Sequence, residues 1–76
     1  MTKPNEFLDT RGQICPLPVL KARKRLKGMA AGEILRVEAT DPMAAIDFPH
    51  FCEESGHELV SQGQDGDVYV FDLKKT

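Results

Sequence analysis

The sequence predicts an α+β fold in which two short helices cover one face of a four-stranded sheet. Three observations predict it. The chain has 76 residues, about half of a typical domain, so we expect one domain, residues 1–76, around one small core. Its apolar residues change between helical and strand periods in the order β-α-β-α-β-β. Elements this short are typical of two packed layers, with the other face of the sheet left open.

The first half of the chain predicts a strand, a helix and a second strand. Residues 7–10 form the first strand, which Arg11 and Gly12 close, and residues 14–18 lead into the helix. Gly28 or Gly32 ends that helix. Residues 34–40 alternate between apolar and polar, which is the period of a half-buried strand. The core side of the helix consists of apolar residues spaced three and four apart: Val19, Ala22, Leu26 and Met29.

The second half predicts two short helical pieces and a hairpin. Asp41 and Pro42 fit an N-cap followed by proline at the first helical position, for a helix through Ile46. Pro49 interrupts the pattern, so we expect Asp47 to cap a second piece that ends before Gly56. Strands at about residues 58–62 and 68–74 flank a turn at residues 63–66. In the last strand, one face carries three large apolar side chains: Tyr69, Phe71 and Leu73.

Composition and charge exclude several classes of function. The chain is 41% hydrophobic and 29% charged, and it has no apolar run near the ~18 residues of a membrane span. Residues 1–6 lack the apolar stretch of a signal peptide, and two cysteines are too few to staple a secreted scaffold, so we expect a cytoplasmic protein. Residues 1–36 carry a net +5 and residues 37–76 a net −7. A sequence pI near 5.6 does not favour direct binding of nucleic acid.

The motif Cys15-Pro16-Leu17-Pro18 is the feature that packing does not explain. The first turn of a helix has N–H groups without partners, so prolines are tolerated there and stiffen the turn. Cys15 would lie at or beside the N-cap, where the helix dipole and nearby cations favour a thiolate. The alternative is that Cys15 is an inert small apolar residue. Cys52, which shares a helical face with Phe48 and Phe51, is predicted to belong to the core.

The other candidate groups support less chemistry. His50 and His57 are the only histidines, and no partner that would orient either as a catalytic base is evident. A protonated His57 is favourable at a helix end, so we expect a capping role. His50 and Cys52 are two residues apart on a helix and face different ways, which does not favour a metal site. The sequence predicts no cofactor and no metal.

Basic residues accumulate near the motif, on the first helix and at Arg11. Such a run is most often a solvated helix face. Beside a reactive thiol, it could also steer an acidic partner protein or the phosphates of tRNA. The candidates for partner contact are four: Arg11, Lys21, Lys24 and Arg25.

Nearly the whole chain resembles the TusA/SirA-like sulfur-carrier proteins. Residues 8–12 lead into the Cys-Pro-x-Pro set, followed by Gly32-Glu33, Asp41-Pro42, residues 47–52, residues 57–60 and the aromatic last strand. The resemblance implies a two-layer α/β sandwich with a mixed sheet. It also implies that Cys15 accepts sulfane sulfur as a persulfide, with Pro16 and Pro18 as its structural frame.

The resemblance further implies partner proteins at both ends of a relay. The donor would be a cysteine desulfurase or a rhodanese, and the acceptor a DsrE-like or similar protein. The sulfur would serve 2-thiouridine formation in tRNA, sulfur oxidation or molybdenum-cofactor supply. Two other hypotheses remain open from the residues alone: a redox-regulatory module that acts through a sulfenic acid or mixed disulfide on Cys15, and an interaction domain that uses its open sheet face.

Overall fold

The computed structural model describes residues 3–76 and confirms the predicted order of elements. Met1 and Thr2, which belong to the predicted domain, lie outside the described residues. The elements are β1 (Glu6–Thr10), α1 (Leu17–Lys27), β2 (Ile34–Ala39), α2 (Ala44–Ser55), β3 (Glu58–Asp65) and β4 (Val68–Lys74). The fold is α+β, with a four-stranded sheet and two helices.

The sheet is mixed and has the strand order β1-β2-β4-β3. β1 and β2 are parallel because α1 connects them as a crossover. β4 is antiparallel to both β2 and β3. Since β1 and β2 run in the same direction, the loops that follow them leave the same edge of the sheet, and each leads into a helix. This topology places the starts of α1 and α2 side by side.

The core lies between the helices and one face of the sheet. On β2, the alternation predicted from the sequence is confirmed, because Leu35, Val37 and Ala39 are fully buried. Phe48 of α2 stacks on Phe71 of β4, with ring centroids 4.6 Å apart. α1 contributes the apolar side that its spacing predicted, and it ends at the predicted Gly28. Its contributions to the core are Val19, Ala22 and Leu26, followed by Met29.

The prediction of two helical pieces around Pro49 is wrong, because α2 is one continuous helix. Proline lacks the N–H that would bond the carbonyl of Ala45, four residues earlier. That carbonyl instead accepts a hydrogen bond from Nε2 of Gln62 on β3, at 3.3 Å. A tertiary contact therefore replaces the missing helical bond, and Asp47 lies inside the helix rather than at a cap.

The predicted hairpin turn is also placed too early. β3 continues to Asp65, which pairs with Val68, so the loop is the two residues Gly66 and Asp67. Gly66 has a φ of 62°, as the first central residue of a type II′ turn requires, and glycine adopts that φ without strain. Gly63, which the sequence predicts to be in the turn, instead pairs with Val70 inside the strand.

The open face of the sheet has one buried ionic cluster. Asp72 is only 5% exposed, and its carboxylate accepts hydrogen bonds from Nε and Nη2 of Arg36 at 2.8 and 2.9 Å. The hydroxyl of Ser61 donates a third at 3.0 Å. Arg36 lowers the pKa of Asp72 below its usual value, assisted by Ser61. The folded-state pKa is lowered, so this cluster stabilises the fold at neutral pH and loses its effect as acid protonates Asp72.

Candidate functional site

Cys15 is exposed and lies immediately before α1. Pro16 is the N-cap residue, so Cys15 lies beside the cap as predicted, and Pro18 is in the first helical turn. Because proline has no backbone N–H, neither Pro16 nor Pro18 leaves an unpaired donor at the start of the helix, as the sequence predicted. The carbonyl of Ile14 accepts the N–H of Leu17 at 3.0 Å, so the motif forms a tight turn that leads into the helix.

The loop between β2 and α2 holds the backbone of the cysteine loop. Oδ2 of Asp41 accepts the N–H of Cys15 at 2.6 Å, and Oδ1 accepts the N–H of Met43 at 3.1 Å. The hydroxyl oxygen of Thr40 also accepts a hydrogen bond from the N–H of Gly12, at 2.9 Å. Asp41 therefore joins the starts of both helices and fixes the position of the cysteine. The sequence pattern predicts a role for Asp41 only at the second helix; the contact with Cys15 arises because β1 and β2 are parallel and bring the two loops together.

A groove of about 190 Å³ opens beside the cysteine, between α1 and α2. Arg23 of α1 lies over the ring of Phe51, with its guanidinium carbon 5.7 Å from the ring centroid. On α2, Nε2 of His50 lies 2.5 Å from Oε1 of Glu54, one turn farther along the helix. The full lining is Cys15, Pro16, Val19, Arg23, Asp47, His50, Phe51 and Glu54. The groove thus combines an apolar floor with groups of both charges.

The electrostatic environment of Cys15 is the reverse of the one that the sequence predicted. A hydrogen bond to the carboxylate of Asp47 raises the pKa of the Cys15 thiol, and desolvation and the negative charges of Asp47 and Asp41 raise it further. The expectation of a thiolate favoured by the helix dipole is therefore wrong for the free chain. Two carboxylates from the neighbouring loop and helix outweigh the partial charge of the helix end, because full charges at short range exceed a dipole of about half a charge.

Replacing Asp47 by asparagine is expected to make Cys15 more acidic. Asp47→Asn removes the main cause of the raised pKa, so the thiolate fraction rises at neutral pH. We expect alkylation by iodoacetamide at pH 7 to be about two- to fivefold faster, with the midpoint of the pH–rate profile moved down. Glu54→Gln, which changes a carboxylate of the same groove, is the control and leaves the midpoint in place. A midpoint that stays or rises in Asp47→Asn contradicts the assignment.

The two segments next to the cysteine expose several apolar side chains. Five large hydrophobic side chains in the segments 14–20 and 43–46 are between 44% and 70% exposed. We use "apolar collar" for these residues: Ile14, Leu17, Leu20, Met43 and Ile46. Isolated exposed apolar residues are ordinary, but a cluster of them is typical of a protein interaction surface. Sequence reasoning missed the collar because it followed the apolar spacing of the core side and gave no role to the other apolar residues of these segments.

The four predicted partner-contact residues do not lie together around Cys15. Arg11 pairs with Asp9 at 3.0 Å and approaches Glu38 at 3.9 Å. The other three, Lys21, Lys24 and Arg25, line a second groove, between α1 and β1. The cation that lines the cysteine groove is Arg23, which the sequence placed in the basic run without singling it out. With 100° of rotation per residue, Arg23 lies on a different side of α1 from Lys21, Lys24 and Arg25.

Cys52 and His57 lie away from the cysteine groove. Cys52 is buried in the core, and desolvation raises the pKa of its thiol to about 11. Nδ1 of His57 accepts the N–H of Thr76 at 3.2 Å. Desolvation lowers the pKa of His57, and the charge of Lys75 lowers it further. The expected protonated cap at the end of α2 is therefore wrong, since the imidazole is partly buried beside a cation.

Within residues 3–76, no cluster of three or more His, Cys, Asp and Glu side chains is arranged to hold a metal ion. In the same part of the chain, no helix has the length and apolar character needed to cross a membrane.

The fold and the site define a small α+β protein that presents one exposed cysteine at the start of a helix, next to segments that expose apolar side chains. Residues 6–75 match the family model described as sulfurtransferase TusA. The sulfur carrier protein TusA of Allochromatium vinosum is 42% identical over 72 residues, which cover 95% of each chain. That of Pseudomonas paraeruginosa is 40% identical over 76 residues, covering 99% of this chain and 96% of the other.

A solved structure shows the same fold. The SirA-like protein from Desulfitobacterium hafniense superposes with a TM-score of 0.79 at 24% identity, covering 91% of this chain and 95% of that one. At this identity the likeness concerns the fold alone. With the family model and the relatives, the assignment is plain: the chain belongs to the TusA family and is a sulfur carrier.

Proposed function

We propose that the chain carries sulfane sulfur as a persulfide on Cys15, between a donor protein and an acceptor protein. The donor is a cysteine desulfurase or a rhodanese, and the acceptor is a DsrE-like or similar protein that presents a thiol. The chain works as one carrier domain, residues 1–76, in the cytoplasm, where free thiols persist. The sulfur serves tRNA 2-thiouridine formation, sulfur oxidation or molybdenum-cofactor supply.

The exposure of Cys15 is the observation that carries this proposal. A carrier must bring its sulfur into contact with a sulfur atom of another protein. Cys15 is exposed, whereas Cys52 is buried. The hydrogen bond from its backbone N–H to Asp41 fixes the cysteine in the loop, and the stiff proline turn supports it. Pro16 and Pro18 are thus its structural frame.

The exchange needs no net oxidation or reduction. The sulfur of Cys15, as the thiolate, attacks the outer sulfur of the donor persulfide; a new S–S bond forms and the donor leaves as a thiolate. In the second half, an acceptor thiolate attacks the outer sulfur on Cys15, which leaves as a thiolate in turn. The raised pKa of Cys15 means that the free thiol holds its proton until a partner docks.

The apolar collar supports exchange with proteins rather than with small molecules in bulk solvent. When a partner covers these five side chains, burial of apolar surface contributes about 25 cal/mol per Å². The same contact excludes water from the two sulfur atoms and protects the persulfide from reduction by other thiols. Docking on the collar therefore couples binding to the chemical step.

Mass spectrometry of the intact chain tests the proposal. Incubation with a persulfide donor is expected to add one sulfur, about 32 Da, and a later excess of an acceptor thiol should remove it. Peroxide treatment of a parallel sample tests the redox-regulatory alternative. Stable oxygen adducts on Cys15, with no sulfur gained from the donor, would contradict the carrier proposal and favour that alternative.

A further inference from the structure

A second groove lies on the other side of α1 and shares no residue with the cysteine groove. It has a volume of about 550 Å³, and it runs between the helix and β1, which is an edge strand of the sheet. Its lining is Glu6, Leu8, Lys21, Lys24, Arg25 and Gly28. The proposed sulfur exchange uses none of these residues.

The groove contains a concentrated positive charge. α1 has no acidic residue, and Lys21, Lys24 and Arg25 are spaced three and four apart, so they lie on one helical stripe. Within the described residues 3–76, neither lysine makes an ion pair, whereas Arg25 pairs with Glu6 at 3.3 Å. Like charges at these spacings repel each other, so this stripe gains from an acidic ligand.

The Glu6–Arg25 ion pair shows that a side chain on a strand can contact the basic stripe of α1. Glu6 belongs to β1 and pairs in register with Leu35, a core residue, so its side chain is on the helical face of the sheet. A carboxylate on a strand thus contacts a cation of α1. A further strand beside β1 would repeat this arrangement about 4.8 Å farther out. Its alternate side chains would be ~6.6 Å apart, close to the ~6 Å rise between Lys21 and Arg25.

We propose that this groove binds an acidic, extended segment of a partner protein, which adds as a strand to the free edge of β1. The segment carries acidic residues at alternate positions, facing Lys21, Lys24 and Arg25. Its backbone bonds to β1, as in other strand-addition complexes. Because the two grooves are separate, a partner bound here leaves Cys15 free, so the carrier can stay tethered during an exchange.

The charge of the rest of the chain favours a peptide over a nucleic acid. Residues 37–76 carry two basic and nine acidic residues, which repel a long polyanion that extends along the surface more than a short segment confined to the groove. A phosphate backbone also cannot supply the N–H and C=O groups that an edge strand pairs with. Nucleic acid is therefore an outcome of the test rather than the proposal.

Fluorescence anisotropy with the full chain and a labelled decapeptide of alternating glutamate and valine tests the proposal. We expect binding that Lys24→Glu weakens at least fivefold. Lys27→Glu changes an exposed lysine of the same helix that does not line the groove, and it should weaken binding less than twofold. Circular dichroism establishes that both variants are folded. Cys15→Ser should bind the peptide unchanged, so this result is independent of the proposed sulfur chemistry.

A second peptide separates strand addition from charge attraction. The same decapeptide with N-methyl groups on alternate backbone nitrogens keeps every charge but loses all of its donors on one edge of the strand, and the two possible registers block opposite edges. The register that blocks the pairing edge should bind much less tightly than the parent, and the other register should bind about as tightly as the parent. The proposal is overturned if the parent peptide does not bind, or if Lys24→Glu and Lys27→Glu weaken its binding equally. It is also overturned if both methylated peptides bind as tightly as the parent, or if single-stranded RNA binds more tightly than the parent peptide.

Discussion

Replacing Cys15 by serine is expected to abolish sulfur loading completely. Serine keeps the size and the exposed position, and the bond from the backbone N–H to Asp41 is not affected. A hydroxyl, however, does not form a persulfide under these conditions, because only a thiolate attacks the donor sulfur. In the intact-mass experiment, the variant should show no adduct of about 32 Da at any donor concentration that saturates the unmodified chain.

Cys52→Ala is the matched control for this variant. Cys52 is 5% exposed, and burial raises the pKa of its thiol to about 11, so it has neither access to a donor nor a thiolate at neutral pH. The variant should load one sulfur like the unmodified chain, with stability lowered by the small cavity it creates. A Cys15→Ser protein that still gains sulfur, or loss of loading in a folded Cys52→Ala, would refute the assignment of Cys15.

Phe48→Ala is expected to have the largest effect on stability. Phe48 is fully buried and stacks on Phe71, so its removal leaves a cavity between α2 and the sheet. Truncation of a buried phenylalanine costs about 3–5 kcal/mol. A domain of this length has roughly 4–11 kcal/mol of unfolding free energy in all. Urea unfolding followed by circular dichroism should therefore show a chain close to, or beyond, the limit of folding at 25 °C.

Phe7→Ala supplies the control with the same chemical change. Phe7 is 50% exposed, on the open face of the sheet, and its truncation should cost less than about 1.5 kcal/mol, because little of the ring is withdrawn from water. Equal losses in the two variants would mean that the core is not organised around the Phe48–Phe71 stack. The midpoint and slope of the urea transition distinguish lost stability from lost cooperativity.

Cys15 is exposed to solvent, but its surroundings do not make the thiol more acidic. The helix dipole and the basic run suggested that the thiol would be acidic, yet Asp47 raises its pKa, and desolvation and Asp41 raise it further. Asp41 has a second task, because it fixes the backbone of Cys15 through the N–H. A free carrier with a protonated thiol is protected from adventitious oxidation, since the thiolate is the species that reacts. Under the proposed function, activation then depends on the docked partner.

Strand and helix order could be predicted because the apolar periods are local. The alternation of β2 and the spacing of α1 gave elements that the structure confirms. Pro49 misled because its missing hydrogen bond is replaced by Gln62, a residue 13 positions away. The hairpin turn misled because a glycine-rich segment contained two candidate turns, and only the pairing of β3 with β4 selects Gly66.

The sequence by itself determined the α+β order of elements and drew attention to Cys15, because periodicity and proline chemistry depend on neighbouring residues. Only the tertiary structure decided which charges face the thiol. Asp41 and Asp47 are 26 and 32 positions from Cys15 along the chain, and the parallel pairing of β1 with β2 brings their segments to the same edge of the sheet. Electrostatic energy depends on distance in space, and distance in space is set by the fold.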